Sequence, residues 1–143
     1  MATFTRFEDI DAWQKARTLV KAVYEVTSQP PFAKDFGLRD QVRRSGVSIM
    51  ANIAEGFERG GNREFLQFLG IAKGSVGELR SHLYVALDQG YITQQVFNQF
   101  HTELRNLASV IGGLMNYLRG SSLKGAKFNV TRNVERGTRN ASR

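Results

Sequence analysis

Between Phe97 and Leu118 the apolar side chains Phe97, Phe100, Leu104, Leu107, Ile111, Leu114 and Leu118 recur in steps of three and four that keep a seven-residue repeat. A half-buried strand alternates in twos, so this seam predicts one long helix with a narrow apolar face, and Thr93 stands where its N-cap belongs. A helix of this kind must bury its face against others. Asp9 or Asp11 opens a first helix with Trp13, Ala16, Leu19 or Val20, Val23 and Val26 on its apolar side, running to Pro30-Pro31. Asp35 caps a second, which carries Leu38, Val42, Ser45, Ile49 and Ile53 and ends at Gly60-Gly61. Asn62 caps a third, in which Phe65, Phe68 or Leu69, Ala72, Val76, Leu79, Leu83 and Leu87 lead to Gly90. Short links between such helices favour antiparallel neighbours. The expectation is an all-α, up-down-up-down four-helix bundle over residues 1–120.

Beyond that point the apolar rhythm stops. Residues 121–143 are rich in Gly, Ser, Asn, Thr and Arg and read as a basic flexible tail. Of the formal charge of +7, residues 120–143 carry most, with six Lys or Arg against one acid, whereas residues 1–119 hold 14 against 12. Such a tail is an electrostatic footprint for phosphates or acidic surfaces. Arg132, Arg136, Arg139 and Arg143 step by four, three and four, so a tail that became helical on RNA would align them; Gly137 opposes that helix.

Much chemistry is excluded early. There is no cysteine, hence no disulfide or thiolate site, which suits a reducing cytoplasm. No run approaches the ~20 apolar residues of a membrane helix. His82 and His101 lie far apart without partners at helical metal-site spacing, and the Glu-x-x-His pattern of bundle di-metal centres is missing after Glu55, Glu64 and Glu78. Neither a phosphate loop nor a nucleophile elbow occurs. The expectation is a non-enzyme with no metal and no cofactor.

Two helix faces are left over. Around the second helix, Gln41, Arg44, Ser48, Asn52, Glu55 and Arg59 fall within about 60° of one line, either a solvated face or a buried polar seam. Its apolar arc, widened by Val47, Met50, Ala54 and Phe57, exceeds what one bundle core requires and predicts self-association. On the third helix Gly70, Gly74, Gly77 and Ser81 form a small-residue stripe opposite the apolar seam. Each internal glycine costs up to about 1 kcal/mol against alanine, so a close neighbour is expected there, either a bundle partner or, preferably, a second subunit.

The runs QVRRSGVSIMANIAEGFERG and REFLQFLGIAKGSVGELRSHLYVALDQGYI, with FEDIDAWQKARTLVKAVYEVT before them, closely resemble the four-helix-bundle family encoded by intervening sequences in bacterial 23S rRNA genes, often labelled a ribosomal protein. The likeness covers about residues 7–119 and rests on Arg43-Arg44, Ser48, Asn52 to Gly56, Glu64-Phe65, Ile71-Ala72, Gly74-Ser75 and Glu78-Leu79. It implies a ring, typically a homopentamer, without known catalytic activity. The chain is also similar to the accessory proteins of diversity-generating retroelements, which bind a reverse transcriptase and nucleic acid.

Taken with the residues, the likeness favours a polar packing seam of Ser48, Asn52, Glu55, Ser75 and Glu78 over a plain solvated face. The expected oligomer interface is Met50, Phe57, Gly70, Gly74 and Gly77. RNA or DNA is expected on Arg17, Lys21, Arg43, Arg44, Lys124, Lys127, Arg132, Arg136, Arg139 and Arg143. The alternative is a protein-interaction scaffold, with a reverse transcriptase as partner.

Overall fold

The computed structural model describes residues 4–120. Four helices follow one another: α1 (Asp11–Thr27), α2 (Phe36–Glu58), α3 (Asn62–Asp88) and α4 (Gln94–Arg119). Single 3-10 turns at Phe7–Asp9 and Phe32–Lys34 precede α1 and α2. Among the described residues there is no strand, and the architecture is the all-α four-helix bundle that the periodicity predicts. Residues 121–143, with all the tail cations named above, lie outside the described residues.

The seam of α4 is buried along its whole length, from Phe97 to Leu118. It meets Ala12, Ala16, Leu19 and Val23 of α1, Val42, Ile49 and Ile53 of α2, and Phe65, Leu69, Ala72, Val76, Leu79 and Leu83 of α3 in one hydrophobic core. The most extensive helix pairing is α2 with α3, and the least is α1 with α4.

Two predicted caps form and two do not. Asp35 Oδ1 accepts from the backbone N–H of Leu38 at 3.1 Å, and Thr93 Oγ1 accepts from Val96 at 3.1 Å. Neither Asp9 nor Asp11 caps α1: the chain enters through the 3-10 turn, and the apolar, buried Ile10 occupies the N-cap position without a side-chain bond. The N-cap of α3 is Gly61, and Asn62 is the first helical residue. Gly60, at φ +88°, and Gly90, at φ +76°, adopt the left-handed conformation that lets the chain leave α2 and α3.

The wide apolar arc of α2 has an explanation inside the subunit. The helix is flanked by both α1 and α3, so it needs two buried sides. A β-carbon on Gly46 would stand 3.6 Å from Val20 and 3.8 Å from Leu79, one neighbour on each flank. Phe57, expected at an oligomer interface, is instead fully buried against Phe65, with ring centroids 5.9 Å apart. Met50 is partly buried beside Trp13 and Val20 of α1.

Candidate nucleic-acid interface

Helix geometry sets the two positions Arg17 and Lys21 one turn apart on the exposed side of α1, facing α2 across a groove. One end of the groove is a cleft of about 760 Å³ in which Arg17 and Lys21 lie with Arg6, Trp13, Val20 and Met50. The other end is a cleft of about 490 Å³ between Tyr24 and the α2 residues Arg43, Arg44 and Val47. Arg17, Lys21 and Arg44 are exposed and have no carboxylate partner among the described residues. Arg6 is paired with Glu8 and Asp9.

Aromatic rings are interleaved with these cations. The guanidinium of Arg17 lies 5.8 Å from the Trp13 ring centroid and that of Arg43 lies 4.3 Å from Tyr24, whose own surface is 42% exposed. The sequence reading missed both rings. Trp13 belongs to the predicted apolar side of α1, yet Arg17 follows it at the four-residue spacing that brings side chains together on a helix.

Arg43 serves the fold as well as the groove. Its Nε donates to Thr27 Oγ1 at 2.8 Å and its Nη2 to Ser28 Oγ at 3.2 Å, so it ties the end of α1 to α2. The Thr27 hydroxyl in turn donates to the Val23 carbonyl at 2.7 Å. Arg44, the other member of the adjacent pair, is exposed to solvent.

The polar line of α2 divides. Ser48 and Ser75 bring their hydroxyl oxygens to 2.9 Å across α2 and α3, and Asn52 Nδ2 donates to the Ser48 carbonyl at 2.8 Å and to Ser48 Oγ at 3.0 Å. Ser75 is buried and Ser48 and Asn52 are half-buried. Glu55 and Glu78 stay outside this cluster, contrary to the expectation. Glu55 pairs with Arg59 at 2.9 Å on the surface, where its side chain is 53% exposed, and Glu78 approaches His82 at 3.4 Å with 60% exposure. A carboxylate in this narrow α2–α3 contact would lose its water without gaining a cation, and solvent is the cheaper place for it.

The glycine stripe of α3 faces outward. Nothing lies within 4 Å of a β-carbon built on Gly74 or Gly77, and on Gly70 only Met115 Cε comes near, at 3.9 Å. No other helix of the subunit therefore approaches this backbone among the described residues, which removes a bundle partner as the reason for the stripe. Exposed Ile71 and Val85 flank it.

Among the described residues no three His, Asp or Glu side chains gather in a way that could hold a metal ion, and no helix is long and apolar enough to cross a membrane. A family model described as 23S rRNA-intervening sequence protein matches residues 8–113. No curated protein matches the chain.

Proposed function

Because the chain belongs to the 23S rRNA-intervening sequence protein family, and its bundle displays cations that no acid neutralises, we propose that it is a non-catalytic, self-associating protein that binds RNA or DNA through phosphates. The observation that carries this reading is the α1–α2 groove, where Arg17, Lys21 and Arg44 have no carboxylate partner among the described residues, the lining acids Glu8 and Asp40 being paired with Arg6 and Arg39, and stand beside Trp13 and Tyr24. An unpaired surface cation releases phosphate counterions on binding, and an exposed ring next to an arginine offers a face for a base. The basic residues between Lys124 and Arg143 add charge to the same interaction, and a cytoplasmic location suits such a ligand. Self-association is supported by the open positions Gly74 and Gly77, helix-weakening residues with nothing within 4 Å of their β-carbon positions among the described residues. The number of subunits that the family likeness suggests is five.

The test is retention of a structured RNA on filters by the full chain across a salt series. Affinity should fall steeply with salt, and Arg17→Gln, Lys21→Gln or Arg44→Gln should each lower the slope of log K against log salt by about 0.7–0.9. Absence of salt-dependent retention at low ionic strength overturns the nucleic-acid reading. Copurification of a reverse transcriptase with nuclease-treated protein would turn it toward a scaffold.

A further inference from the structure

On the opposite side of the bundle, α3 and α4 bring together a second cluster of basic residues with its own chemistry. Arg80 of α3 donates from Nη2 to His101 Nε2 of α4 at 3.3 Å. For the imidazole to accept there it must be neutral with its proton on Nδ1. That Nδ1 is buried without a partner, and so is Arg80 Nε, leaving two N–H donors without an acceptor in one small cluster. Arg105 follows His101 by one turn and is exposed. Lys73 precedes Arg80 by two turns on the same side of α3, and its Nζ would lie 3.9 Å from a β-carbon on Gly112 of α4.

Among the described residues no carboxylate pairs with Lys73, Arg80 or Arg105. Of the acids two residues away along these helices, Glu78 lies 3.4 Å from His82 and Glu103 lines the cleft between α1 and α4. Tyr84 and Phe97 close the upper end around the imidazole, with ring centroids 6.0 Å and 5.3 Å from it. Two guanidinium groups beside a neutral imidazole, with unused donors and no acid, form a cluster short of one anion.

We propose that the Arg80–His101–Arg105 cluster of α3 and α4 is a second anion site, which takes a phosphoryl group on the guanidinium groups of Arg80 and Arg105 and takes up a proton at His101 Nε2 as it does so. The coupling follows from the charges. Burial first, and then Arg80 and Arg105, hold His101 below the ordinary histidine range, so the free protein keeps it neutral near pH 7. A phosphate dianion that draws the Arg80 Nη2–H to itself frees His101 Nε2 to accept the proton, and its charge offsets the guanidinium repulsion, so the imidazolium is favoured. By linkage, protonation of His101 then tightens the anion to the same degree. The site does not depend on the α1–α2 groove. Its ligand is a phosphoryl group, free or carried in a nucleic-acid backbone.

The experiment uses the full chain and inorganic pyrophosphate, with the ring resonances of both histidines followed by NMR from about pH 4 to 8. Pyrophosphate should move the His101 midpoint to higher pH. Arg80→Gln and Arg105→Gln should each weaken pyrophosphate about tenfold, as loss of one charge-assisted hydrogen bond does. His101→Asn should abolish the proton uptake that His101 contributes on binding, leaving only the pH dependence of pyrophosphate's own ionisation. A His101 midpoint unmoved by millimolar pyrophosphate overturns the proposal, and so does wild-type affinity in Arg105→Gln, an exposed position whose variant folds whatever happens to Arg80→Gln. Competition by a single-stranded RNA oligonucleotide assigns the phosphoryl group to nucleic acid; pyrophosphate binding without competition assigns it to a free phosphate. Because pyrophosphate is read directly, failure of RNA binding on α1–α2 leaves this result interpretable.

Discussion

Gly56→Ala is the substitution that most directly probes how close α2 and α3 come. A β-carbon on Gly56 would stand 2.6 Å from Phe68 Cβ, 3.2 Å from Phe65 Cδ1 and 3.4 Å from Phe68 Cγ. Phe68 Cβ is bonded to the α3 backbone and no rotamer moves it away. To bring 2.6 Å out to an ordinary 3.4 Å contact the helices must separate by about 0.8 Å at their tightest crossing. Overpacking of this kind costs about 1–3 kcal/mol, and the better helix propensity of alanine offsets about 1 kcal/mol of it. A contact as short as 2.6 Å puts the overpacking cost in the upper part of that range, about 2–3 kcal/mol, so the net expectation is a loss of about 1–2 kcal/mol, or a midpoint lowered by about 4–8 °C in a domain of this size. Thermal unfolding followed by circular dichroism, at matched subunit concentration, measures it. A Gly56→Ala protein that melts at or above the wild type would refute a backbone contact here and, with it, the reason for glycine in this position.

The open stripe predicts the opposite sign. Gly74→Ala and Gly77→Ala should each stabilise the isolated bundle by up to about 1 kcal/mol, since nothing obstructs the new methyl group, while lowering the native mass if a second subunit approaches there; unchanged native mass by light scattering would remove self-association through this face. Ser48→Ala should cost about 1–2 kcal/mol in urea unfolding, because Asn52 and Ser75 lose their shared partner, and adding Ser75→Ala should cost less than the sum of the two single changes. Tyr91 donates to Asp35 Oδ2 at 2.9 Å, and this hydrogen bond, with burial and the Asp35 charge behind it, holds the phenol above its usual range. The unfolded chain therefore loses that proton first. The contribution is present below about pH 10 and is lost as pH rises through the folded value, so Tyr91→Phe should flatten the alkaline fall in melting temperature.

The long seam of α4 was legible because one period and one face carry all the information. The caps at Asp35 and Thr93 were legible for the same local reason. At Asn62 the rule met a competitor: Gly61 can hold the extended conformation of an N-cap as well, and it stands one residue earlier. At Asp9 the chain was already turning, so the start of α1 was decided by burial of Ile10 and not by a side-chain oxygen. Counting around α2 showed that its apolar arc was wide but could not say what filled it. Phe57 was assigned outward on that width alone, whereas α1 and α3 on either side use it up. Within the polar line, Ser48, Asn52 and Ser75 can satisfy one another in a narrow space, and the carboxylates of Glu55 and Glu78 cannot; that sorting depends on helix separation, which no periodicity reports. The cluster of Arg80, His101 and Arg105 was invisible because its members come from two helices whose relative rotation is set only by the packed core.

Asp35 and Tyr91 stand just before α2 and just after α3, so their hydrogen bond, backed by the stacking of Phe32 on Tyr91 at 5.3 Å, joins the two ends of the hairpin opposite its glycine turn. The segment between them is a closed circuit, whereas α1 and α4 are attached to it at one end each. Outward fluctuation of either flanking helix leaves that circuit unbroken. Amide exchange should therefore proceed from the outside in, with α1 opening first across its sparse contact with α4 and the amides of α2 and α3 released only when the whole domain unfolds. The clasp gives the molecule a durable half, and both proposed anion sites lie along its borders, where one wall is held fast and the other is free to breathe.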